Sequence, residues 1–266
     1  MRRVENMDDH ASQAVITCAD APVNAKRLES LVVIFMEQFD LFGSIESPVP
    51  SAPTVDLQKI PLDAKISIPC GIYPDLETLA SHCNQCQRCE LGKTRTHAVV
   101  SRGNPKAKLL IIGEAPGANE DETGLPYVGK SGQLLDKILE SVQFDPKEDV
   151  YICNVLKCRP PDNRDPSPKE IELCSGYLFE QIRLVDPKII LLTGKYAMQV
   201  ILKEKKGITK VRGTWQKWEG RWVMPMFHPA YLLRNQSRET GSPKWLMWQD
   251  IQEVRKKYLE LTAQET

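Results

Sequence analysis

Residues 109–132 read LLIIGEAPGANEDETGLPYVGKSG, and the order of residue types in this stretch points to one class of fold. Leu109 to Ile112 is an unbroken apolar run, the pattern of a strand buried on both faces as in parallel sheets. It passes into a loop of Gly, Pro and acidic residues, after which a helix is expected to open near Gly129, with Leu134, Leu135, Ile138 and Leu139 at helical spacing. In open α/β sheets ligands bind outside the carboxyl ends of the strands, where the loops diverge. A site is therefore expected at this loop.

The same alternation continues downstream. Val150–Val155 (VYICNV), Lys188–Thr193 (KIILLT) and Trp222–Phe227 (WVMPMF) read as three further strands, and Pro225 in the last suggests a sheet edge. Helices are expected from Ser167-Pro168 to about Leu184, from Gly194 to about Leu202 and from Pro243 to about Leu261; Ser is a good N-cap, and Pro suits the first helical position. Pro74–Cys83 reads as a short helix, and Lys210–Gly220 as an irregular β-excursion. Strand-helix alternation implies a three-layer α/β/α domain around a central four-stranded parallel sheet. Upstream, Leu28, Leu31, Val32, Phe35, Met36, Phe39 and Phe42 recur at helical spacing, giving one amphipathic helix over 26–42 that must dock in cis or on a protein partner. Five prolines between 44 and 69 mark a linker. The chain is thus divided into an N-terminal extension, residues 1–69, and a domain, residues 70–266.

A hydrophobic fraction of 41% and a charged fraction of 26% are ordinary for a soluble globular protein, and neither says what it does. The net charge of zero conceals an asymmetry: residues 1–80 carry −6 and residues 81–266 carry +6. A modest positive field suits phosphate contacts, and solvated surface lysines account for it equally well. The amino terminus, MRRVENMDDH, has no apolar signal core, and the longest compact apolar run, Leu31 to Met36, is far short of the ~20 residues that span a bilayer. A cytoplasmic location with no membrane association is expected, in which eight cysteines serve as ligands or core thiols.

Cys83, Cys86 and Cys89 form C-x-x-C-x-x-C, with Cys158 and Cys174 far downstream. One close pair plus two distant cysteines can complete a Cys₄ shell around zinc or an iron-sulfur cluster. Cys18, Cys70 and Cys153 read as thiols without partners. Asn154 ends the second strand, and His228 directly follows the fourth; read alone, each has a plain alternative as a turn former or a surface residue.

Four ordered segments carry a resemblance: Gly113-Glu114-Ala115-Pro116-Gly117 with Glu120-Asp121 and Gly124-Leu125-Pro126-Tyr127-Val128-Gly129; Asn154-Val155-Leu156-Lys157-Cys158-Arg159-Pro160-Pro161 with Asn163-Arg164; Cys174; and His228-Pro229-Ala230-Tyr231-Leu232-Leu233-Arg234. From about Cys86 to Tyr258 the chain resembles the family 4, iron-sulfur, uracil-DNA glycosylases. The resemblance implies the same three-layer architecture and cleavage of the N-glycosidic bond of deoxyuridine in single- or double-stranded DNA by a monomer. Tyr127 takes the stacking position, where the family usually has Phe. Asn154 reads uracil by donating to O4 and accepting from N3–H, and His228 donates to O2 as charge flows into the base. Ala115 stands where the most active branch carries a water-positioning Asp, leaving Glu114 and Asn163 to orient water and sugar. Backbone N–H groups around Ala115 and Gly117 hold the base or a phosphate, and Glu120 lies near C5 of the base. Leu232 and Leu233 are expected to wedge into the duplex, with Arg234 on a phosphate. Lys210, Arg212, Lys217 and Arg238 are candidates for the DNA track. A [4Fe-4S] cluster is implied on Cys86, Cys89, Cys158 and Cys174; a register using Cys83 with Cys86 stays open. Two alternatives also stay open: a glycosylase of this fold for another base, and a non-catalytic iron-sulfur DNA-binding module.

Overall fold

The computed structural model describes residues 62–63 and 65–264. The amphipathic helix expected over 26–42 and most of the Pro-rich linker lie outside the described residues. In chain order the elements are α1 (Leu76–Gln85), α2 (Leu91–Thr94), β1 (Arg102–Gly103), β2 (Leu109–Gly113), α3 (Ala118–Thr123), α4 (Lys130–Glu140), β3 (Val150–Asn154), α5 (Pro168–Val185), β4 (Ile189–Thr193), α6 (Lys195–Leu202), α7 (Ile208–Val211), β5 (Gln216–Trp218), β6 (Arg221–Met226), α8 (Pro229–Arg234) and α9 (Pro243–Ala263).

The four apolar runs form the four parallel strands at the centre of the sheet, in the order β3-β2-β4-β6. Every residue of β2, β3 and β4 is buried, which is why these runs show no alternation. The expectation of four strands is corrected to six: β1 pairs antiparallel with β3 and β5 antiparallel with β6, closing the two edges. With two and three residues, neither is long enough to show a period. Pro225 accordingly lies in an inner strand. It stands beyond the reach of β5, whose pairing stops at Val223, and its carbonyl accepts from Gly213 N–H on that side. Proline's missing donor therefore costs no ladder bond.

Ser167 opens α5 as expected. Its hydroxyl accepts from Glu170 N–H, the Glu170 carboxylate accepts from Ser167 N–H, and Pro168 takes the first helical position. One face of the sheet, through Leu109, Ile111, Ile152, Leu191 and Met224, packs on α4, α8 and α9. The other face carries α5 and α6. The loops after β2 and β6 each contain a six-residue helix, α3 and α8, too short for a periodic signal. Ile68, in the stretch assigned to the linker, is buried with Tyr73, Leu79 and Tyr177, so packing begins ahead of Cys70. Cys153 is a buried free thiol, as expected, whereas Cys70 is disulfide-bonded. Among the described residues no helix is long and apolar enough to cross a membrane.

Candidate active site and thiol cavity

Register aligns the carboxyl ends of the parallel strands: Gly113 of β2 pairs with Asn154 of β3, and Thr193 of β4 with Met226 of β6. Three side chains meet above them. A Cβ on Gly113 would lie 2.2 Å from the Tyr127 hydroxyl and 2.3 Å from Asn154 Oδ1, so both polar atoms lean over a position that only glycine can occupy. On its other side the Tyr127 hydroxyl lies 2.6 Å from Thr193 Oγ1 and 3.4 Å from His228 Nε2. The Tyr127 and His228 rings are 5.9 Å apart between centroids. Asn154, Tyr127 and His228, 101 positions apart at the extreme, therefore share one site.

Tyr127 is held by its backbone. Its φ of 56° is unusual for a bulky residue, and the turn is clamped by Arg102, which donates to the carbonyls of Pro126 (2.9 Å) and Tyr127 (3.4 Å) while pairing with Asp136 at 2.5 Å. Gly132 completes the clamp, because any Cβ there would sit 1.8 Å from the Tyr127 carbonyl oxygen. Glu120 braces the wall of the loop. One carboxylate oxygen accepts from Val128 N–H (2.9 Å) and Gly129 N–H (2.8 Å), and the other from Gly117 N–H (3.1 Å). Gly117 N–H is thus engaged within the loop, which corrects its expected role as a ligand donor.

His228 caps α8, its Nδ1 accepting from Ala230 N–H at 3.2 Å. A backbone N–H can only donate, so the neutral ring carries its proton on Nε2. Burial, then the nearby Arg234 charge, lowers its pKa to about 4, with Glu120 opposing. Burial, then the Asp165 carboxylate, raises Glu114 to about 7, with Lys195 opposing. Tyr196 donates to Asp165 at 2.6 Å. Thr193, Asp165, Lys195 and Tyr196 were not among the expected site residues; Thr193 alone had a signal, its place at a strand end.

Other expected residues lie elsewhere. Asn163 is exposed on a 3-10 turn, where its amide oxygen accepts from Arg159 at 2.8 Å. Ala115 is half-buried just past the end of β2. The wedge is corrected: residues 229–234 are helical, Leu232 packs into the core, and only Leu233 (half-buried) and Arg234 (exposed) face outward. Arg212 is corrected as well, since it is paired with the buried Asp250 and lies over the Phe227 ring. Lys217 covers the Trp222 ring at 3.8 Å.

Cys83, Cys86, Cys89, Cys158 and Cys174 line a single cavity, with Arg95, Lys157 and Tyr177 among its other walls. Among the described residues no three His, Cys, Asp or Glu groups converge on one metal-ion position; the thiols surround a space instead of a point. Burial pushes the Cys83 and Cys174 thiols well up and Cys158 to about 11, so a cationic centre is needed to hold them as thiolates. Donors for sulfur are in place: Arg95 donates to Cys158 Sγ at 3.0 Å and Lys157 N–H to Cys174 Sγ at 3.3 Å. The Lys157 ammonium, fully buried, donates to the Asn154 carbonyl at 2.6 Å and Gln181 Oε1 at 2.5 Å, both neutral. A buried cation with neutral acceptors calls for a neighbouring anion. A thiolate-bound cluster of net negative charge fits that demand.

A model of the uracil DNA glycosylase superfamily matches residues 100–252. A type-4 uracil-DNA glycosylase of Thermotoga maritima is 41% identical over 182 residues, 68% of this chain and 93% of that protein. The chain belongs to the type-4 uracil-DNA glycosylase family. Type-4 uracil-DNA glycosylases of Archaeoglobus fulgidus (42% identical, 62% of this chain and 86% of that protein) and Saccharolobus solfataricus (41%, 60% and 78%) are similar to the same extent. Lys157, which lines the thiol cavity, also bonds the Asn154 carbonyl at the end of β3.

Proposed function

We propose that the chain is a uracil-DNA glycosylase, which extrudes deoxyuridine from DNA and hydrolyses its N-glycosidic bond. The products are free uracil and an abasic site, the substrate for the next steps of base-excision repair. The single observation that carries this reading is the meeting of Asn154, Tyr127 and His228 at one level above the parallel strands, in a chain of the type-4 family. The Tyr127 ring offers a face for the base. The Asn154 amide matches uracil at O4 and N3–H; cytosine presents the opposite pattern and leaves both groups unpaired in a site with little water. As the bond breaks, electrons pass into the ring, and neutral His228 donates its Nε2 proton in a hydrogen bond to O2. A neutral donor needs no counter-charge in the resting site. With Ala115 in place of a carboxylate, Glu114 is the group that orients water toward the sugar once uracil departs. Glu120 acts through the loop that carries Tyr127.

Leu233 and Arg234 present the apolar and cationic contacts that DNA requires, and the chain acts as a cytoplasmic monomer. Cys86, Cys89, Cys158 and Cys174 hold a [4Fe-4S] cluster, with Cys83 the fifth thiol of the cavity. Glycosidic hydrolysis changes no oxidation state, so the bound cluster would supply only cross-linking, joining the α1–α2 segment, the loop after β3 and α5.

The test is uracil release from single- and double-stranded oligonucleotides carrying uracil, hypoxanthine or mismatched thymine, with iron assayed in the same anaerobic preparation. Release of uracil alone and about four irons per chain are expected. Inactivity on uracil in single-stranded DNA sinks the enzyme reading. A colourless protein holding one zinc sinks the cluster.

A further inference from the structure

Tyr127 places a phenolic proton among the groups that read the base, and where that proton points decides whether they work. Thr193 Oγ1 donates its only proton to the Ile112 carbonyl at 3.0 Å, so at 2.6 Å from Tyr127 it can only accept. At the other end of the chain of bonds, Ala230 N–H donates to His228 Nδ1, leaving the imidazole proton on Nε2, 3.4 Å from the phenol oxygen. Every proton is thereby directed one way: Ala230 N–H to His228 Nδ1, His228 Nε2–H to the Tyr127 oxygen, Tyr127 O–H to Thr193, and Thr193 O–H to Ile112.

We infer that Thr193 is a positioning residue, which accepts the Tyr127 phenolic proton and so keeps it off the two base-reading groups, His228 Nε2 and Asn154 Oδ1. This rests on the glycosylase reading of the site. Without an acceptor at 193, the buried phenol turns to one of those two atoms. Donation to Nε2 makes it an acceptor and forces the imidazole proton onto Nδ1, against Ala230 N–H; donation to Asn154 Oδ1 takes the atom that accepts from N3–H. Phenylalanine at 127 makes no such demand, so the pair matters in this chain because the stacking residue is tyrosine.

The test is a suppression experiment on the full chain. Thr193→Val is expected to slow single-turnover uracil release about 10²-fold, the cost of one lost electrostatic donor. Thr193→Ser, which restores an acceptor, is expected to recover most of the rate. Tyr127→Phe added to Thr193→Val removes the misdirected proton and is expected to raise the rate at least about 10-fold above Thr193→Val alone. If Thr193 only fills space, the double variant is no faster than Thr193→Val, and that result overturns the inference. Circular dichroism and a melting curve check that each variant folds. Nitrogen-15 spectra of the His228 ring give a readout independent of activity: a proton on Nε2 is expected in the wild type, and one on Nδ1 contradicts the directed chain. A wild type that releases no uracil defeats the glycosylase reading, while the spectra still test the proton order.

Discussion

At the scale of single residues the site separates two titrations that ordinary side chains would place the other way round. His228 sits low at about 4 and Glu114 high at about 7, so between these two values the imidazole is neutral while the carboxyl holds its proton. The rate of uracil release is expected to rise with pH through about 7 as Glu114 ionises, and Glu114→Gln is expected to flatten that step; a step that survives the substitution assigns it to another group. The same shift at His228 touches stability. Between pH 6.5 and 4 the unfolded imidazole binds a proton that the folded one refuses, so stability falls as pH falls through this window. His228→Asn is expected to shrink that slope, as read from denaturant melts at pH 7 and pH 4.5. The strand-end places of Asn154 and His228 were legible from the apolar runs beside them, and the roles expected of them came from the resemblance. Thr193 also ends such a run, but the direction of its proton was not legible: its partner lies 66 positions away, and no local pattern reports which hydroxyl accepts.

At the scale of elements, the four buried strands were legible from continuous apolar runs, and α5 from its Ser-Pro start. The wedge after β6 was not, because a six-residue helix leaves no period. Its geometry nevertheless separates neighbours: successive residues on a helix turn ~100° apart, so Leu232 and Leu233 cannot both face out, and it is Leu232 that joins the core. Leu233→Ala is therefore expected to weaken double-stranded substrate use, whereas Leu232→Ala costs about 2–5 kcal/mol of stability, as read by denaturation. The Tyr127 loop is braced by Glu120 through three backbone donors. Glu120→Gln loses the charge on the acceptor and is expected to cost about 1–3 kcal/mol, with KM rising as the loop loosens. Unchanged stability and KM show that the brace is dispensable.

Across the whole molecule, the site and the thiol cavity are joined through one residue. Lys157 donates by its ammonium to the Asn154 carbonyl and by its N–H to Cys174, and Cys158 is its neighbour in sequence. Lys157→Met removes the buried cation, and the iron of the proposed cluster is expected to be lost to a chelator about 10-fold faster than from the wild type; an equal rate means the cavity needs no cation at that place. The thiol spacing pointed to a shared centre and left two registers open; α1 brings Cys83 inward by packing, so all five thiols line the cavity. The most direct measurement is single-turnover release of uracil by the wild type, Asn154→Ala and His228→Ala, each at saturating enzyme on a single-stranded uracil oligonucleotide whose binding is measured in parallel. Both variants are expected to bind the DNA and to release uracil at least about 10²-fold more slowly. Release at the wild-type rate by either variant contradicts a base held between one carboxamide and one imidazole.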